Sequence, residues 1–198
     1  MFNYPNGKKP STQTPSTTHS PNLKKSRLGI DFEGLINDSN QYYLNNNIAV
    51  IHKKPTPIQI TKVDYPSRKS AKITEAFYKI PSTTDYNGIY KGKHIDFEAK
   101  SCLGKTFSLA RIYDHQVNHL KLIREHGGIS FLLIKFNDYD EVYLLESDKL
   151  VAYVEASKNG GRKSIPKEYF EEHGHFIKLG YNPIIDYLKV VDKLLEDK

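Results

Sequence analysis

Two strands and the turn between them are predicted within residues 82–100, which read Ser82-Thr83-Thr84-Asp85-Tyr86-Asn87-Gly88-Ile89-Tyr90-Lys91-Gly92-Lys93-His94-Ile95-Asp96-Phe97-Glu98-Ala99-Lys100. The strands fall at about 85–90 and 93–100, and Lys91-Gly92 forms the turn. The second strand carries ionisable residues at alternate positions, with apolar residues between them. Because side chains alternate between the two faces of a strand, one face is predicted to be charged and the other apolar.

The charged face holds Asp96, Glu98 and Lys100. Ionisable groups beside a buried face are costly unless water, one another or a metal ion satisfies them. Asp85 lies on the preceding strand, where it can sit across the hairpin from Glu98. Two carboxylates with few soft ligands nearby suit Mg²⁺, and a lysine two residues beyond the glutamate can hold the attacking water or stabilise developing charge. An edge hairpin with a solvated charged face explains the same spacing and stays open.

The segments on either side of this hairpin predict further helices and strands. Before it come a helix at 29–46, a short buried strand at 48–51 and alternating apolar residues at 58–63. After it come a helix at 111–126, a strand at 129–136, its hairpin partner at 142–145, a helix from Ser147 to about 156 and a last helix opened by Pro183. The order predicts an α/β fold, a mixed β-sheet flanked by helices.

The helix at 111–126 adds a polar residue to the predicted site. Tyr113, Val117 and Leu120 mark its buried stripe, and Gln116 borders or enters that stripe. An inward glutamine needs a polar partner, which the carboxylate cluster would supply, although an ordinary boundary glutamine is an alternative.

Two histidines on the same helix have a spacing that zinc ligands sometimes show. His115 and His119 stand four residues apart, but no third strong ligand has a readable spacing, and Cys102 is the only cysteine. We therefore interpret them as surface histidines and not as zinc ligands.

Composition favours a soluble protein of one main domain. The chain has 198 residues, of which 38% are hydrophobic and 26% charged. No run approaches the roughly 20 apolar residues that cross a bilayer, and the N-terminus lacks the apolar core of a signal peptide. A cytoplasmic protein without a membrane partner is expected.

The charge of +6 is unevenly distributed. Residues 1–26 are basic and rich in Pro, Ser, Thr and Asn, which predicts a flexible arm ahead of the domain at 27–198. A proline-bounded stretch at about 53–80 reads as a basic projection from that domain. The cations there that are available to the phosphates of a nucleic acid are Lys53, Lys54, Lys62, Arg68, Lys69 and Lys72.

Four strings taken in order resemble the RecU family of Holliday-junction resolvases from Gram-positive bacteria, within the PD-(D/E)XK nuclease superfamily. The resemblance covers about residues 27–198. The strings are Ile48-Ala49-Val50-Ile51-His52-Lys53-Lys54-Pro55-Thr56-Pro57, Ser82-Thr83-Thr84-Asp85-Tyr86-Asn87-Gly88, Ile95-Asp96-Phe97-Glu98-Ala99-Lys100 and Asp114-His115-Gln116.

The resemblance implies a PD-(D/E)XK nuclease-like core with a metal site. It implies metal coordination by Thr83, Asp85, Glu98 and Gln116, with Lys100 as the stabiliser of the transition state. It also implies a homodimer with two sites and a protruding stalk, here about 53–80, that enters the centre of a four-way junction. Outside these ligands, Glu33 and Asp96 are candidates for an outer shell, and Arg27 resembles a functional N-terminal arginine of the family and is a candidate DNA contact.

The sequence thus predicts a Mg²⁺-dependent endonuclease that resolves Holliday junctions by paired symmetric nicks during recombination and repair. Mn²⁺ stays an alternative metal, and a recombinase is a further candidate partner. Two other functions remain open: a PD-(D/E)XK nuclease that acts on other DNA substrates, and a non-catalytic protein that bridges or anneals DNA.

Overall fold

The computed structural model describes residues 31–67, 69–79 and 83–196. Its helices are α1 (Phe32–Asn45), α2 (Asp114–Glu125), α3 (Ser147–Lys158), α4 (Lys167–His173) and α5 (Tyr187–Glu196). Its strands are β1 (Val50–Lys53), β2 (Ile58–Asp64), β3 (Lys72–Tyr78), β4 (Tyr86–Tyr90), β5 (Lys93–Cys102), β6 (Thr106–Ser108), β7 (Ile129–Phe136), β8 (Glu141–Glu146), β9 (Ser164–Pro166) and β10 (His175–Ile177). The predicted arm at 1–26 lies outside the described residues.

Six strands form the main sheet in the order β1-β4-β5-β7-β8-β10. The β5–β7 pair is parallel and its two members are joined through α2, whereas the other neighbouring pairs are antiparallel. Two apolar clusters, one on each face, pack the sheet against helices. The predicted α/β class, with a mixed sheet flanked by helices, is confirmed.

Alternation along β5 decides which helices meet which side chains. Ile95, Phe97 and Ala99 join the cluster that packs against α1 and α5. Cys102, on the opposite face, joins the cluster that packs against α2, α3 and α4. Because Glu98 shares that second face, the crossover helix α2 lies over it.

An aromatic stack ties the centre of the sheet together. Tyr86, Phe97 and Phe131 lie at paired positions on three adjacent strands, with ring centroids 4.8 Å apart at each step. Each ring is almost wholly buried. Cross-strand aromatic pairs of this kind fix strand register, and here they fix the pairing of β4 with β5 on which the site depends.

Glycine is required by the backbone at two positions, Gly92 in the hairpin turn and Gly88 beside β1. Lys91 and Gly92 both have positive φ, 48° and 74°, as a tight two-residue hairpin turn needs. Gly88 faces β1 so closely that a Cβ atom there would lie 2.0 Å from the carbonyl oxygen of Val50. A side chain at Gly88 would therefore push β1 away, together with the lysines at its end.

The basic projection is a separate two-stranded sheet. Among the described strands, β2 and β3 pair only with each other, in antiparallel register with a bulge around Lys62. Every residue of both strands is exposed. Of its predicted cations, Lys62, Lys69 and Lys72 are exposed, whereas Arg68 lies outside the described residues.

Several predicted boundaries are wrong, and each has a local cause. The first strand begins at Val50 because residues 46–48 form the turn that ends α1. Ser147 begins α3 but does not cap it; its hydroxyl is buried against the hydroxyl of Ser130, 2.7 Å away. Pro183 lies in the turn before the last helix, which begins only at Tyr187.

Short elements between residues 104 and 177 were missed altogether. These are β6, β9, α4 and β10, each of three to seven residues. Elements this short carry too few residues for a hydrophobic period to be read. None of the helices in the described part of the chain is long and apolar enough to cross a membrane.

Candidate active site

A pair of carboxylates lies where β4 begins beside the middle of β5. Because Tyr86 pairs with Phe97 in antiparallel register, Asp85 comes next to Glu98. The Asp85 Oδ2 atom accepts a hydrogen bond of 3.2 Å from the backbone nitrogen of Ala99. The pairing predicted from the sequence is therefore present in the structure.

Glu98 is completely buried and only half satisfied. Its Oε1 atom accepts hydrogen bonds from Lys100 Nζ and from Gln116 Nε2, the latter at 2.7 Å. Its Oε2 atom has no hydrogen-bond partner among the described residues. Burial, followed by the nearby charge of Asp85, raises the pKa of the Glu98 carboxyl to about 7, although Lys100 opposes the rise.

This arrangement fits a divalent cation. A buried carboxylate oxygen without a partner, next to a second carboxylate, is costly unless a cation satisfies both groups. Hard oxygen donors of this kind match Mg²⁺, which keeps several water ligands and needs few from the protein. Within residues 31–67, 69–79 and 83–196, no three or more His, Cys, Asp and Glu side chains form a metal-binding group. A site here would therefore rest on the two carboxylates with neutral oxygen donors.

Gln116 reaches the pair from the first turn of α2. Its amide oxygen accepts a 3.0 Å hydrogen bond from the Tyr113 backbone nitrogen, which leaves the amide nitrogen to donate to Glu98. Gln116 is 5% exposed, so the inward prediction is confirmed, and the boundary alternative is wrong. Tyr113, predicted in the buried stripe, is 61% exposed, because it precedes the helix as its N-cap. Thr83 is half-buried two residues before Asp85 and makes none of these hydrogen bonds.

Asp96, a second buried carboxylate, lies two residues before Glu98 on β5 and contacts four side chains. We call the group Lys54, Thr84, His94, Asp96 and His119 the Asp96 cluster. Lys54 Nζ lies 2.9 Å from Asp96 Oδ2, and the Thr84 hydroxyl donates to Oδ1. The Nε2 atoms of His119 and His94 lie 3.2 and 3.4 Å from Oδ2. Both carboxylate oxygens of Asp96 thus have partners inside the protein, and its place in an outer shell of the site stays a prediction.

Neither helix histidine is the exposed surface residue that the sequence suggested. His119 contacts Asp96, and His115 stacks on the ring of Tyr113 at 5.5 Å. Both are only partly exposed. The sequence reading missed His119 and Thr84 as members of the cluster, yet a signal existed. His119 stands three residues after Gln116, so the two share a face of α2.

Glu33 lies on α1 near the end of β1, at the margin of the site. Its carboxylate forms a hydrogen-bonded ion pair with Lys53, and this bond, with a smaller contribution from nearby Asp85, raises the pKa of Lys53. The charge of Lys53 is therefore paired with that of Glu33. Lys54, its neighbour, points instead into the Asp96 cluster.

Comparison with known proteins assigns the chain to a family. The family model described as "RecU: Recombination protein U" matches residues 27–193. The chain belongs to the RecU family. It is 51% identical over 193 residues to the Holliday junction resolvase RecU of Bacillus mycoides (strain KBAB4), covering 96% of each protein. It is 50% identical over 195 residues to the Holliday junction resolvase RecU of Bacillus cereus (strain B4264), again covering 96% of each.

Among solved structures, the match to Hjc, a Holliday junction resolvase from Archaeoglobus fulgidus, has a TM-score of 0.42 and 9% identity, covering 71% of this chain and 94% of that protein.

In this RecU chain, the predicted DNA-contacting cations fall into separate environments. Lys62, Lys69 and Lys72 are exposed on or beside the β2–β3 hairpin, whereas Lys53 and Lys54 pair with carboxylates at its base. Arg27 and Arg68 lie outside the described residues.

The raised pKa of Glu98 predicts a pH dependence of stability in the metal-free protein. A folded-state pKa of about 7, above the ordinary glutamate value, means that the folded chain holds an extra proton between about pH 4.5 and 7. The free energy of unfolding should therefore fall as pH rises through this interval, by roughly 3 kcal/mol from this group. Urea unfolding in a chelator from pH 5 to 8 should show this fall in the parent and not in Glu98→Gln, which stays neutral. Parallel curves for the two proteins would contradict the assignment.

Proposed function

We propose that this RecU chain is a structure-selective DNA endonuclease that resolves four-way (Holliday) junctions by metal-dependent nicking during recombination and repair, in the cytoplasm. The observation that carries the proposal is the pair formed by partly buried Asp85 and fully buried Glu98. One oxygen of Glu98 has no hydrogen-bond partner among the described residues, and its other oxygen accepts from Lys100 and Gln116. The relatives' name, Holliday junction resolvase, supplies the substrate class.

Asp85 and Glu98 would hold the metal, with Thr83 and Gln116 as neutral oxygen donors. Mg²⁺ is the proposed ion, and Mn²⁺ can replace it. When bound, such an ion lowers the pKa of a water molecule and neutralises phosphate charge. For Gln116 to offer its oxygen, the amide would have to turn from its present pairing with the Tyr113 nitrogen.

Lys100 would act on the reacting phosphate. Its ammonium group hydrogen-bonds Glu98 Oε1, which keeps it beside the carboxylate pair and mostly out of water. Hydrolysis of a phosphodiester places extra negative charge on the phosphate oxygens while the attacking water loses a proton. A fixed positive charge at that point stabilises the transition state more than the ground state.

The deciding experiment compares a labelled four-way junction with linear duplex of the same arms, each with and without Mg²⁺. We expect nicking of the junction only with the metal, and little nicking of the duplex. Equal cutting of both substrates would point to a nuclease of another specificity. Binding without cutting at any metal concentration would point to a protein that bridges or anneals DNA.

The proposal includes a homodimer. Two nicks related by two-fold symmetry call for two sites related in the same way, and closed two-fold dimers are the commonest oligomers. The hairpin gives a physical reason for association, because Ile58, Ile60, Val63, Ile73 and Phe77 are each about half exposed on a two-stranded sheet. Such a hairpin is marginal without packing partners. Light scattering should give about twice the chain mass of 22.7 kDa, and a monomeric mass both with and without junction DNA would exclude it.

The hairpin cations should determine the preference for junctions. Substituting Lys62, Lys69 and Lys72 together by Gln removes three exposed charges and keeps the apolar side chains of the hairpin. We expect the ratio of duplex to junction dissociation constants, at one fixed salt concentration, to fall by about tenfold.

The matched control removes the same number of exposed charges near the C-terminus, by substituting Lys178, Lys189 and Lys193 by Gln. Loss of general phosphate attraction should weaken both substrates alike and leave the ratio unchanged. Equal ratios in the two triple variants would show that the hairpin lysines act only through net charge.

A further inference from the structure

Lys54 is tied by both its backbone and its side chain to the segment that carries Asp85. Its backbone nitrogen donates a 2.7 Å hydrogen bond to the Asp85 carbonyl oxygen. Its ammonium group lies 3.0 Å from Thr84 Oγ1 and 2.9 Å from Asp96 Oδ2. The side chain is 19% exposed and that of Asp96 is 1% exposed. The positive charge of Lys54 is therefore compensated inside the protein.

Thr84 carries this contact to the metal ligands. It is buried, and its hydroxyl donates to Asp96 Oδ1 while its oxygen accepts from Lys54. Thr83 and Asp85 are its immediate neighbours in the chain. Thr83 and Asp85, two of the proposed ligands, therefore flank a residue whose side chain is fixed by Asp96 and Lys54.

Lys54 also stands at the base of the hairpin. It directly follows β1, and after Pro55-Thr56-Pro57 the chain enters β2. The hairpin closes at its base where the Lys79 nitrogen donates to the Pro57 oxygen at 2.9 Å. Only three residues therefore separate Lys54, which contacts the Thr83–Asp85 segment, from the hairpin. Two of the three are prolines, whose φ is restricted.

The crossover helix joins the same cluster. His119 Nε2 lies 3.2 Å from Asp96 Oδ2, and His119 stands one helical turn from Gln116, which holds Glu98. Asp96 consequently joins three elements around the carboxylate pair: the end of β1, the segment before β4 and helix α2.

We infer that Lys54 is a positioning residue and not a DNA contact: through Asp96 and Thr84 it holds the Thr83–Asp85 segment against Glu98 and fixes that segment to the base of the hairpin. The inference rests on the proposed function of the Asp85–Glu98 pair. A buried ion pair of this kind leaves an uncompensated charge when one member is removed, so its loss disturbs the geometry around it. Removing a residue that hydrogen-bonds a metal ligand typically lowers metal affinity or activity by about 10- to 100-fold.

The test uses Lys54→Met, Asp96→Asn and the double variant in the full chain. We expect each single variant to lose about 10- to 100-fold in single-turnover cleavage and in Mn²⁺ affinity measured by calorimetry without DNA. Junction affinity without metal should be unchanged. The double variant should be no worse than the single variant with the greater loss, because the Lys54–Asp96 contact is broken by either change.

Thr84 provides an independent pair of variants should Lys54→Met fail to fold. Thr84→Val removes the hydroxyl at nearly constant volume, whereas Thr84→Ser keeps it. Thr84→Val should lose Mn²⁺ affinity and Thr84→Ser should retain it.

Lys135→Met is the matched control. Lys135 is another buried lysine paired with an aspartate, Asp140 at 2.8 Å, but alternation on β7 places it on the opposite face of the sheet from Glu98. It should lower the melting temperature without changing Mn²⁺ affinity.

Two results would overturn the inference. One is a Lys54→Met protein that binds metal-free junction more weakly while its Mn²⁺ affinity stays normal, as a DNA contact would behave. The other is additive loss in the double variant. If the parent protein binds Mn²⁺ at this site but cuts no junction, the proposed function fails while the calorimetric comparison still decides the role of Lys54.

Discussion

Cleavage should be abolished, and junction binding preserved, when either Asp85→Asn or Glu98→Gln is introduced. Each change replaces a carboxylate by its neutral isostere, so the shape of the site stays while the charge that would hold a cation is reduced. The cleavage rate should fall by more than about 100-fold, the upper end of the loss expected when a residue that supports a metal ligand is removed. Binding should persist because phosphate contacts would come from Lys and Arg side chains elsewhere.

Single-turnover cleavage at saturating Mg²⁺, with a gel-shift assay in a chelator beside it, measures both parts of this prediction. Glu146→Gln is the matched control, because Glu146 is a part-buried glutamate in an ion pair with Arg124 at 2.9 Å and is no part of the carboxylate pair. Near-normal cutting by Asp85→Asn or Glu98→Gln would refute the metal site, and the charged strand would then be a structural feature.

Lys100→Met should raise the barrier of the chemical step by about 3 to 4 kcal/mol, which lowers the cleavage rate by roughly 100- to 1000-fold. Methionine keeps the aliphatic stem but removes the charge that would face the reacting phosphate. The structure adds a second effect, since Lys100 also lowers the pKa of Glu98 by its charge and its hydrogen bond. Without Lys100, more of Glu98 is protonated near pH 7, and the metal must displace that proton.

The two effects separate with pH. Above the raised pKa, Glu98 is ionised in both proteins, so the defect in metal affinity should shrink as pH rises from 7 to 9. The defect in the single-turnover rate at saturating metal should persist across this range. A rate loss smaller than about tenfold, or 1.4 kcal/mol, at pH 9 would make Lys100 a partner of Glu98 without a role in the chemistry.

The sequence predicted the parts of the site that depend on local periodicity. Alternation along residues 93–100 was sufficient to place Glu98 and Lys100 on one face, because the period of a strand does not depend on its neighbours. The turn at Lys91-Gly92 then brings Asp85 beside Glu98, since a two-residue turn fixes the register of the strands that it joins. The helical period placed Gln116 at or inside the buried stripe of its helix, and the structure shows it buried.

Predictions at the ends of elements failed more often. Tyr113 and Pro183 fit the helical pattern, yet Tyr113 only precedes α2 and Pro183 lies in a turn before α5. A periodic pattern extends smoothly past a helix end, whereas the end itself depends on which backbone groups find partners in the tertiary structure.

The sequence by itself determined the α/β class, the family motifs and the shared face of Glu98 and Lys100. Only the tertiary structure decided which charges stay exposed and which pair inside the protein. Lys53 and Lys54 are adjacent and equally basic in the sequence, but one pairs with Glu33 at the margin of the site and the other with buried Asp96. The partners lie 20 and 42 residues away, on α1 and β5. The period of a strand or helix predicts which way a side chain points from the backbone. Which partner it meets depends on the strands and helices that the tertiary structure packs on that side.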